Sequence, residues 1–291
     1  MKIAYLGPEH TNTHAAAQAK FGQRAHYLHA PTVDDVFHVV ERRQADYGVV
    51  PVENSLEGAV THTLDRFIDF IDTPVNIQGE IEQQIHHALI LLPAARLSQI
   101  GVVFSHPQAL AQCREWLDKH LPNDCIRWET SSTAEAVQLL RSNEMLHTMK
   151  RRDFRMASFA PTAKAAIARK ELTKGKELQA IPIPDSRDNK TRFLILGLGE
   201  PSRGRWNKTS ILFVLKDKPG ALHDALVPFK RERINLTKIE SRPSKRKAWE
   251  YFFFIDVEGH ESEPRLKRAL KALQRSTSLL RILGSYPITT R

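Results

Sequence analysis

Several features that define common protein classes are missing from this 291-residue sequence. Its two cysteines, Cys113 and Cys125, have no metal-like spacing and are too few for a disulfide framework, so we expect both to be reduced thiols. No apolar run approaches the roughly 18 residues of a membrane span. Because the sequence opens with the strand-like KIAYLG, we expect no signal or transit peptide. The sequence therefore predicts a cytoplasmic globular protein with no membrane partner.

Motifs for cofactors and metals are also missing. The sequence has no phosphate-binding G-x-x-x-x-G-K-S/T, and Gly197 and Gly199 follow a strand but open a linker, which argues against dinucleotide binding. His62 and the pair His86-His87 lack the spacing of metal ligands, so we predict no metal site. No G-x-S-x-G element suggests a serine hydrolase. We expect a site that works without a cofactor.

The formal charge of +10 is unevenly distributed. Residues 1–100 contain 7 Lys and Arg against 12 Asp and Glu, a net charge of −5, so the other 191 residues carry +15. Basic clusters lie at 150–152, 203–208, 230–233 and 245–247. Such clusters can follow a phosphate backbone, but no nucleic-acid motif accompanies them. We interpret them as solvated surfaces that help to steer an anionic substrate, and predict no nucleic-acid partner.

The first 200 residues alternate short apolar segments with amphipathic ones, which is the pattern of a parallel α/β sheet. Thr32 with Asp35, and Ser132 with Glu135, form capping-box patterns at helix starts. Pro161 fits the first position of a further helix. The predicted strands are 2–6, 47–51, 101–104, 126–129, 156–160 and 191–197.

Polar residues cluster where these strands end and helices begin, in GPEHTNT, ENSLEG, SHPQ, SST and SFAPT. Ligands of open α/β sheets bind at the carboxyl ends of the strands, where helix N-termini offer free backbone N–H groups. Any one of these polar residues could be an ordinary helix cap. Five similar junctions instead predict a shared anion-binding cleft, suited to a dianionic organic acid.

The periodicity changes after PSRGRW at 201–206, which has the composition of a linker. Beyond it the sequence predicts the order βαββαβ, typical of a small regulatory or binding module. The predicted strands are 209–215, 234–241, 249–257 and 279–283, and the predicted helices are 220–232 and 264–274.

An ordered series of motifs along nearly the whole chain resembles the prephenate dehydratase family with a C-terminal ACT domain. The motifs are GPEHTNTHAA, ADYGVVPVENSLEGAV, SHPQALAQC, SSTAEAV, DSRDNKTRF, KDKPGAL, ESRPSKRKAWEYFFFID and LGSYP. The resemblance implies a two-lobed catalytic domain similar to type II periplasmic binding proteins over 1–200. One lobe would comprise 1–78 and 182–200, the other 79–181. A linker (201–206) and a ferredoxin-like ACT domain (207–287) follow. The length leaves no room for a chorismate mutase helix, so a monofunctional protein is expected.

This resemblance also implies an activity, the decarboxylating dehydration of prephenate to phenylpyruvate in L-phenylalanine biosynthesis, without a cofactor. Thr191 matches the family's key hydroxyl and would donate a hydrogen bond or a proton to the departing hydroxide. Arg192, also assigned to the catalytic group, would either pair with a substrate carboxylate or support the lobe. Phe193 would pack or contact the substrate. The implied substrate-binding residues are Thr11, Thr13, Asn54, Ser55, Ser105, Gln108, Ser158 and Phe193.

The ACT domain implies allosteric feedback by L-phenylalanine, bound between two subunits of a homodimer or homotetramer. The implied effector-binding residues are Pro219, Gly220, Ala221, Leu222, Glu240, Ser241, Arg242 and Pro243.

Two residues depart from the family's first motif, G-P-x-G-T-aromatic, because His10 replaces the glycine and Asn12 the aromatic residue. His10 therefore occupies a position that can require a positive φ. The changes leave open whether the substrate is prephenate or arogenate, which carries an amino group in place of the keto group. A catalytically inactive phenylalanine sensor is the other alternative, although Thr11 and Thr13 are retained.

Overall fold

A computed structural model describes residues 1–140, 163–173, 177–184, 189–244 and 249–288. The chain forms two compact units. The first contains Met1–Gly7, Ala16–Gln83 and Thr191–Arg291, and the second contains Pro8–Ala15 and Gln84–Lys190. Among the residues described, no helix is both long and apolar enough to cross a membrane.

The strands, in chain order, are β1 (Lys2–Leu6), β2 (His26–Ala30), β3 (Tyr47–Asn54), β4 (Gly58–Ala59), β5 (Val75–Gln84), β6 (Ala88–Leu91), β7 (Ile100–Ser105), β8 (Ile126–Glu129), β9 (Ala163–Ala168), β10 (Gln179–Pro182), β11 (Lys190–Leu198), β12 (Asn207–Leu215), β13 (Leu236–Pro243), β14 (Tyr251–Glu258) and β15 (Thr277–Pro287). The helices are α1 (Asn12–Phe21), α2 (Val33–Glu41), α3 (Thr61–Asp69), α4 (Pro107–Gln112), α5 (Arg114–His120), α6 (Thr133–Leu139), α7 (Ala221–Arg231) and α8 (Pro264–Ser276).

The first sheet has the order β2-β1-β3-β11-β5, and the short β4 pairs with β3. Strand β1 is parallel to β2 and β3, whereas β11 runs antiparallel to β3. The predicted capping box before α2 is confirmed, since the Thr32 hydroxyl accepts from the Asp35 N–H and the Asp35 carboxylate accepts from the Thr32 N–H.

The second predicted capping box is only half formed. The Ser132 hydroxyl accepts from the Glu135 N–H at 3.1 Å, as expected. However, the Glu135 carboxylate accepts from the N–H of Ser131, not from that of Ser132. Helix α6 is therefore capped by two consecutive serines.

The second sheet has the order β10-β6-β9-β7-β8. The helix predicted from Pro161 is wrong, because Ala163–Ala168 forms strand β9 between β6 and β7. Residues 165–168 are completely buried, and this central position overrides the helix preference of alanine. The strand predicted at 156–160 lies outside the described residues.

The third sheet is antiparallel, with the order β13-β14-β12-β15, and it confirms the predicted βαββαβ arrangement. One face packs against α7 and α8 through a core that includes Phe213, Phe229 and Leu273. The opposite face belongs to the same apolar cluster as Val52 and Phe67 of the first sheet and its helix α3. That face includes Leu212, Val214, Phe252, Phe254 and Leu283.

Backbone contacts strengthen this shared core. A Cβ atom added at Gly284 of β15 would lie 2.2 Å from the carbonyl oxygen of Ile77 in β5, so only glycine allows this approach. The guanidinium of Arg281 donates to the backbone carbonyls of residues 70, 71, 73 and 75, just beyond α3. The C-terminal sheet and the first sheet therefore form one packed body.

Candidate active site

Strands β3 and β11 bring Asn54 and Thr191 together. The two residues are cross-strand partners, and the Asn54 Nδ2 donates to the Thr191 Oγ1 at 3.0 Å. The family resemblance predicts that both residues belong to one site. The predicted strand ends at residue 51, whereas β3 continues to Asn54. The structure thus assembles an amide and a hydroxyl that are 137 residues apart in the chain.

The orientation of the Asn54 amide is fixed by the turn that follows β3. Its Oδ1 accepts from the backbone N–H groups of Leu56 at 3.0 Å and Glu57 at 3.3 Å. Backbone N–H groups can only donate, so the atom facing them must be the oxygen. The Nδ2 therefore has to face Thr191, and Asn54 is only 5% exposed.

Within the described ranges, this arrangement leaves the Thr191 hydroxyl proton without an acceptor. The Thr191 oxygen accepts from Asn54, and its O–H makes no donated hydrogen bond to any residue in the described ranges. A hydroxyl that already accepts a hydrogen bond is a stronger donor, because hydrogen bonds in a chain polarise one another. The geometry of Thr191 is therefore compatible with the predicted role of a hydrogen-bond donor.

The neighbours of Thr191 face different surroundings. Phe193 is 1% exposed and packs with Ile3, Tyr5 and Val49, which supports the packing interpretation. Ser55, in contrast, is exposed at the start of the turn. Of these two predicted substrate contacts, only Ser55 presents its side chain to solvent.

Arg192 is surrounded by carboxylates. Its Nη2 donates to Glu53 Oε2, and its Nη1 lies 3.1 Å from Asp256 Oδ2 and 3.5 Å from Glu80 Oε2. Burial acts to lower the pKa of Arg192, but the charges of Asp256, Glu53 and Glu80 raise it above its usual value. The arginine is therefore a permanent cation held by protein groups, which favours its supporting role.

Two lysines complete this cluster. Lys208 Nζ lies 2.7 and 2.8 Å from the two carboxylate oxygens of Glu80, and Lys238 Nζ lies 3.4 Å from Glu53. Lys208 is 6% exposed, so it does not belong to the solvated basic surface expected for 203–208.

Among the described residues, no group of three or more His, Cys, Asp or Glu side chains is arranged to hold a metal ion.

In the second unit, Thr11 and Thr13 lie at the start of α1. The Thr11 hydroxyl accepts from the His14 N–H at 3.3 Å, and Thr13 is 6% exposed. His10 has φ = 66°, as its position in the motif predicted, and its N–H donates to His14 Nδ1 at 3.0 Å. Burial, followed by the charge of His10, lowers the pKa of His14.

Ser105 and Gln108 are less suited to the role assigned to them. Ser105 is fully buried, and its hydroxyl donates to the Ile167 carbonyl of the adjacent strand at 2.8 Å. Gln108 is half-buried, and its N–H donates to His106, which caps α4. Ser158 lies outside the described residues.

A polar cluster that the sequence did not reveal lies nearby in the same unit. Gln112 Oε1 accepts from Asn189 Nδ2 at 3.1 Å and lies 2.9 Å from His87 Nε2. Asn189 is fully buried. The sequence contains one clue to this cluster, the position of Asn189 two residues before Thr191 in DNKTRF. His87 and Gln112 lie far from Asn189 in the chain, so their contact with it is not visible in the sequence.

The residues predicted to bind phenylalanine lie in two segments, the turn into α7 (Pro219–Leu222) and the end of strand β13 (Glu240–Pro243). Gly220 has φ = 75° and caps α7, and Pro219, Leu222, Ser241 and Pro243 are exposed. Ala221, Glu240 and Arg242 are half-buried. Glu240 and Arg242 are the cross-strand partners of Phe254 and Phe252, so they share the face that packs on the first sheet.

Arg242 already has a partner on that face. Its Nε lies 2.9 Å from Asp65 Oδ1 and its Nη2 lies 3.3 Å from Asp65 Oδ2. The assignment of all four residues of ESRP to one effector wall stays a prediction, because Glu240 and Arg242 share one face of β13 and Ser241 and Pro243 lie on the other. Alternation along β13 directs Arg242 towards α3, away from Ser241.

Comparisons with known proteins identify the family. Residues 3–201 match the family model described as prephenate dehydratase, and residues 209–275 match the ACT domain model. The chain is 46% identical over 288 residues to a bifunctional chorismate mutase/prephenate dehydratase of Aquifex aeolicus, covering 99% of this chain and 74% of that protein. It is 31% identical to arogenate dehydratase/prephenate dehydratase 2 of Arabidopsis thaliana, covering 100% of this chain and 74% of that protein.

A solved structure agrees with this relationship. The prephenate dehydratase of Arthrobacter aurescens in complex with L-Phe has a TM-score of 0.84 and 33% identity, covering 99% of this chain and 90% of that chain. The fold is thus an α/β catalytic part joined to an ACT domain, as the sequence predicted. The chain belongs to the prephenate dehydratase family.

Proposed function

We propose that the protein is a prephenate dehydratase, a carbon–oxygen lyase that makes phenylpyruvate for L-phenylalanine biosynthesis in the cytoplasm. Membership of the family supports this reaction. The observation that carries the proposal is the Asn54–Thr191 pair, in which an oriented amide donates to the threonine and no residue of the described ranges accepts the threonine proton.

The reaction needs help for a poor leaving group. In prephenate, breaking the bond between the ring and its carboxylate releases carbon dioxide, and the bonding electrons make the ring aromatic as hydroxide leaves the opposite carbon. Thr191 donates a hydrogen bond or its proton to that oxygen, which leaves as hydroxide or water. Since a threonine is a weak acid, a donated proton has to be replaced from solvent within the cycle.

The substrate carboxylates are held by neutral donors in this proposal. Arg192 is already paired with three carboxylates, so recruiting it would break buried ion pairs at a cost of several kcal/mol. In the first unit, Ser55 is the proposed contact. For Thr11, in the second unit, a substrate contact stays a prediction from the family resemblance.

Phenylpyruvate formation from prephenate by the purified protein tests the activity, and Thr191→Val tests the mechanism. We expect Thr191→Val to lower kcat by about 10²–10⁴-fold, the usual effect of losing a positioned proton donor. Thr191→Ser is the matched control, because it keeps the hydroxyl and should retain most activity. No product from the wild-type protein would refute the activity, and near-normal turnover by Thr191→Val would refute the mechanism.

The proposed regulation is binding of L-phenylalanine by ACT domains of two subunits in a homodimer or homotetramer. Its support is the relative solved with L-Phe, together with exposed apolar side chains at Leu222, Ile239 and Tyr251. Altering Gly220 or Ser241 should leave turnover unchanged and abolish the response to phenylalanine. Calorimetric titration of L-phenylalanine and light scattering measure binding and assembly. Unchanged inhibition in both variants would refute this pocket.

Arogenate is a second candidate substrate, and one observation favours it. The Oδ1 of Asn12 is buried and accepts no hydrogen bond from any residue in the described part of the chain. Such an acceptor suits the ammonium group that distinguishes arogenate from prephenate. Comparing kcat/KM for the two substrates, in the wild-type protein and in Asn12→Phe, tests this. Arogenate is the wrong assignment if the wild-type protein and Asn12→Phe both have the higher kcat/KM for prephenate, by the same factor.

A further inference from the structure

Strands β3 and β11 carry two adjacent pairs of residues with different surroundings. Asn54 pairs with Thr191, and the next rung of the ladder pairs Glu53 with Arg192. Because successive side chains of a strand point to opposite faces, the two pairs face in opposite directions. The same two strands therefore present the proposed proton donor on one face and an ion pair on the other.

Neighbouring residues confirm this division. Phe193, two residues after Thr191, packs in the cluster of Ile3 and Tyr5. Leu194, two residues after Arg192, packs in the cluster that contains Phe254 and Leu283. These two residues belong to the third sheet, which we call the ACT sheet because it lies in the ACT domain. Arg192 thus points from the proposed catalytic strand towards the ACT domain.

Three strands of the ACT sheet contact the ion pair or its neighbour Glu80. Asp256 of β14 lies 3.1 Å from Arg192, Lys238 of β13 lies 3.4 Å from Glu53, and Lys208 of β12 lies 2.7 Å from Glu80. These three cations and three carboxylates form what we call the ion cluster: Glu53, Glu80, Arg192, Lys208, Lys238 and Asp256.

Separating the ions of the ion cluster costs free energy, because they are largely buried. The side chains of Arg192 and Asp256 are 12% and 13% exposed, so neither ion can exchange its partner for bulk water without a large penalty. Ser210 Oγ donates to the second oxygen of Asp256 at 2.6 Å, which fixes that carboxylate. A displacement of β13 or β14 must therefore move Glu53 and Arg192 or leave a buried charge unpaired.

Strand β13 also carries the proposed effector site. Lys238 lies three residues before Ser241, and β13 is an edge strand that pairs only with β14 among the described strands. We propose that Glu53 and Arg192 are positioning residues, through which the ion cluster passes the state of the ACT domain to the Asn54–Thr191 pair. This inference rests on the proposed function, since it requires an effector and a reaction to be coupled.

Asp256→Asn tests the inference from the ACT side, away from the substrate. The measured quantity is the coupling factor, defined as kcat/KM for prephenate without L-phenylalanine divided by kcat/KM at saturating L-phenylalanine. A typical factor for allosteric coupling is about 5–150. We expect Asp256→Asn to bring the factor to within about threefold of unity, while calorimetry shows L-phenylalanine binding within threefold of wild type.

Asp65→Asn is the matched control. It breaks the bidentate contact with Arg242, which joins β13 to helix α3 and is separate from the ion pairs of Glu53, Arg192 and Asp256. We expect this variant to keep the wild-type coupling factor. Lys238→Met provides a second variant within the ion cluster in case Asp256→Asn does not fold, as judged by circular dichroism.

The possible outcomes separate the two proposals. If the wild-type protein makes no phenylpyruvate or does not respond to L-phenylalanine, the proposed function fails. If wild-type protein responds and the ion-cluster variants respond equally, the inference alone fails. It also fails if Asp65→Asn loses coupling to the same extent, because general loosening of the ACT domain would then explain the loss.

Discussion

The orientation of the Asn54 amide leads to a prediction about two substitutions at one position. In Asn54→Asp, one carboxylate oxygen still accepts from the N–H groups of Leu56 and Glu57, so the turn after β3 is kept. The other oxygen replaces a donor 3.0 Å from the Thr191 hydroxyl. Since a carboxylate can only accept, the Thr191 proton must turn towards it and away from the substrate.

We expect Asn54→Asp to be the slower of the two variants, and Asn54→Ala to be the less stable. Asn54→Asp captures the Thr191 proton, so we expect kcat to fall by about 10²–10⁴-fold, the range for a lost proton donor. Asn54→Ala leaves that hydroxyl without its partner but free to donate, and should lose roughly tenfold, or about 1.4 kcal/mol. In stability, Asn54→Ala loses the acceptor of two N–H groups, a cost of about 1–3 kcal/mol. Asn54→Asp keeps that acceptor, and donation from two N–H groups and the Thr191 hydroxyl offsets the burial of its charge, so we expect it to be the more stable variant.

Phenylpyruvate formation measures kcat, and urea unfolding measures stability, for the wild-type protein, Asn54→Asp and Asn54→Ala. Protein-free samples correct for uncatalysed conversion of prephenate, and Thr191→Val provides the value expected when no threonine proton is present. The reasoning is refuted if Asn54→Asp turns over as fast as Asn54→Ala, or if Asn54→Asp is the less stable of the two variants.

Three further predictions concern the rest of the molecule. Gly284→Ala places a Cβ 2.2 Å from the Ile77 oxygen, so we expect a loss of about 1–3 kcal/mol in the free energy of unfolding, and an unchanged Tm in calorimetry would contradict the close approach. Burial raises the pKa of Cys125 to about 11, so at pH 8 its thiol should react with Ellman's reagent only after unfolding, and rapid reaction of the native protein would show that it is accessible. For Glu53, burial acts to raise the pKa, but the charges of Arg192 and Lys238 lower it overall, so its carboxylate stabilises the fold above its unfolded pKa and this contribution is lost as pH falls through the folded value. Urea midpoints measured from pH 6 to pH 3 should therefore fall less steeply in Glu53→Gln than in wild type, and parallel curves would argue against this ion pair.

Local signals in the sequence predicted much of the fold. The capping box at Thr32 and the βαββαβ order depend on short-range periodicity and cap chemistry, which are readable along the chain. Strand β9 was not predicted, because Ala163–Ala168 is a strand only through its neighbours β6 and β7. Strands β2, β4, β5, β6 and β10 were also not identified.

The site was less predictable for the same reason. The motifs named Asn54 and Thr191 through family resemblance, but their hydrogen bond depends on β3 continuing past Pro51 to residue 54. A bulge at this point, where Phe193 pairs with Pro51 and Arg192 with Glu53, sets the register. Cross-strand register is a long-range property, so the two roles considered for Arg192 could not be separated before its three carboxylate partners were seen.

His10 shows a case in which resemblance gave a correct backbone prediction. A glycine in the family motif implied a positive φ, and His10 adopts φ = 66°. The hydrogen bond from its N–H to His14 Nδ1 helps to offset a cost on the order of 1 kcal/mol.

The apolar face shared by the ACT sheet and the first sheet has a consequence for dissecting this enzyme. Cleavage at the predicted linker, residues 201–206, would be the obvious way to separate a catalytic fragment from a sensor fragment. Such a cut would leave Phe67 and Ile77 bare on one piece and Phe252 and Phe254 bare on the other. Both pieces would then tend to aggregate, so effector-insensitive forms of this protein are better sought through point substitutions than through truncation.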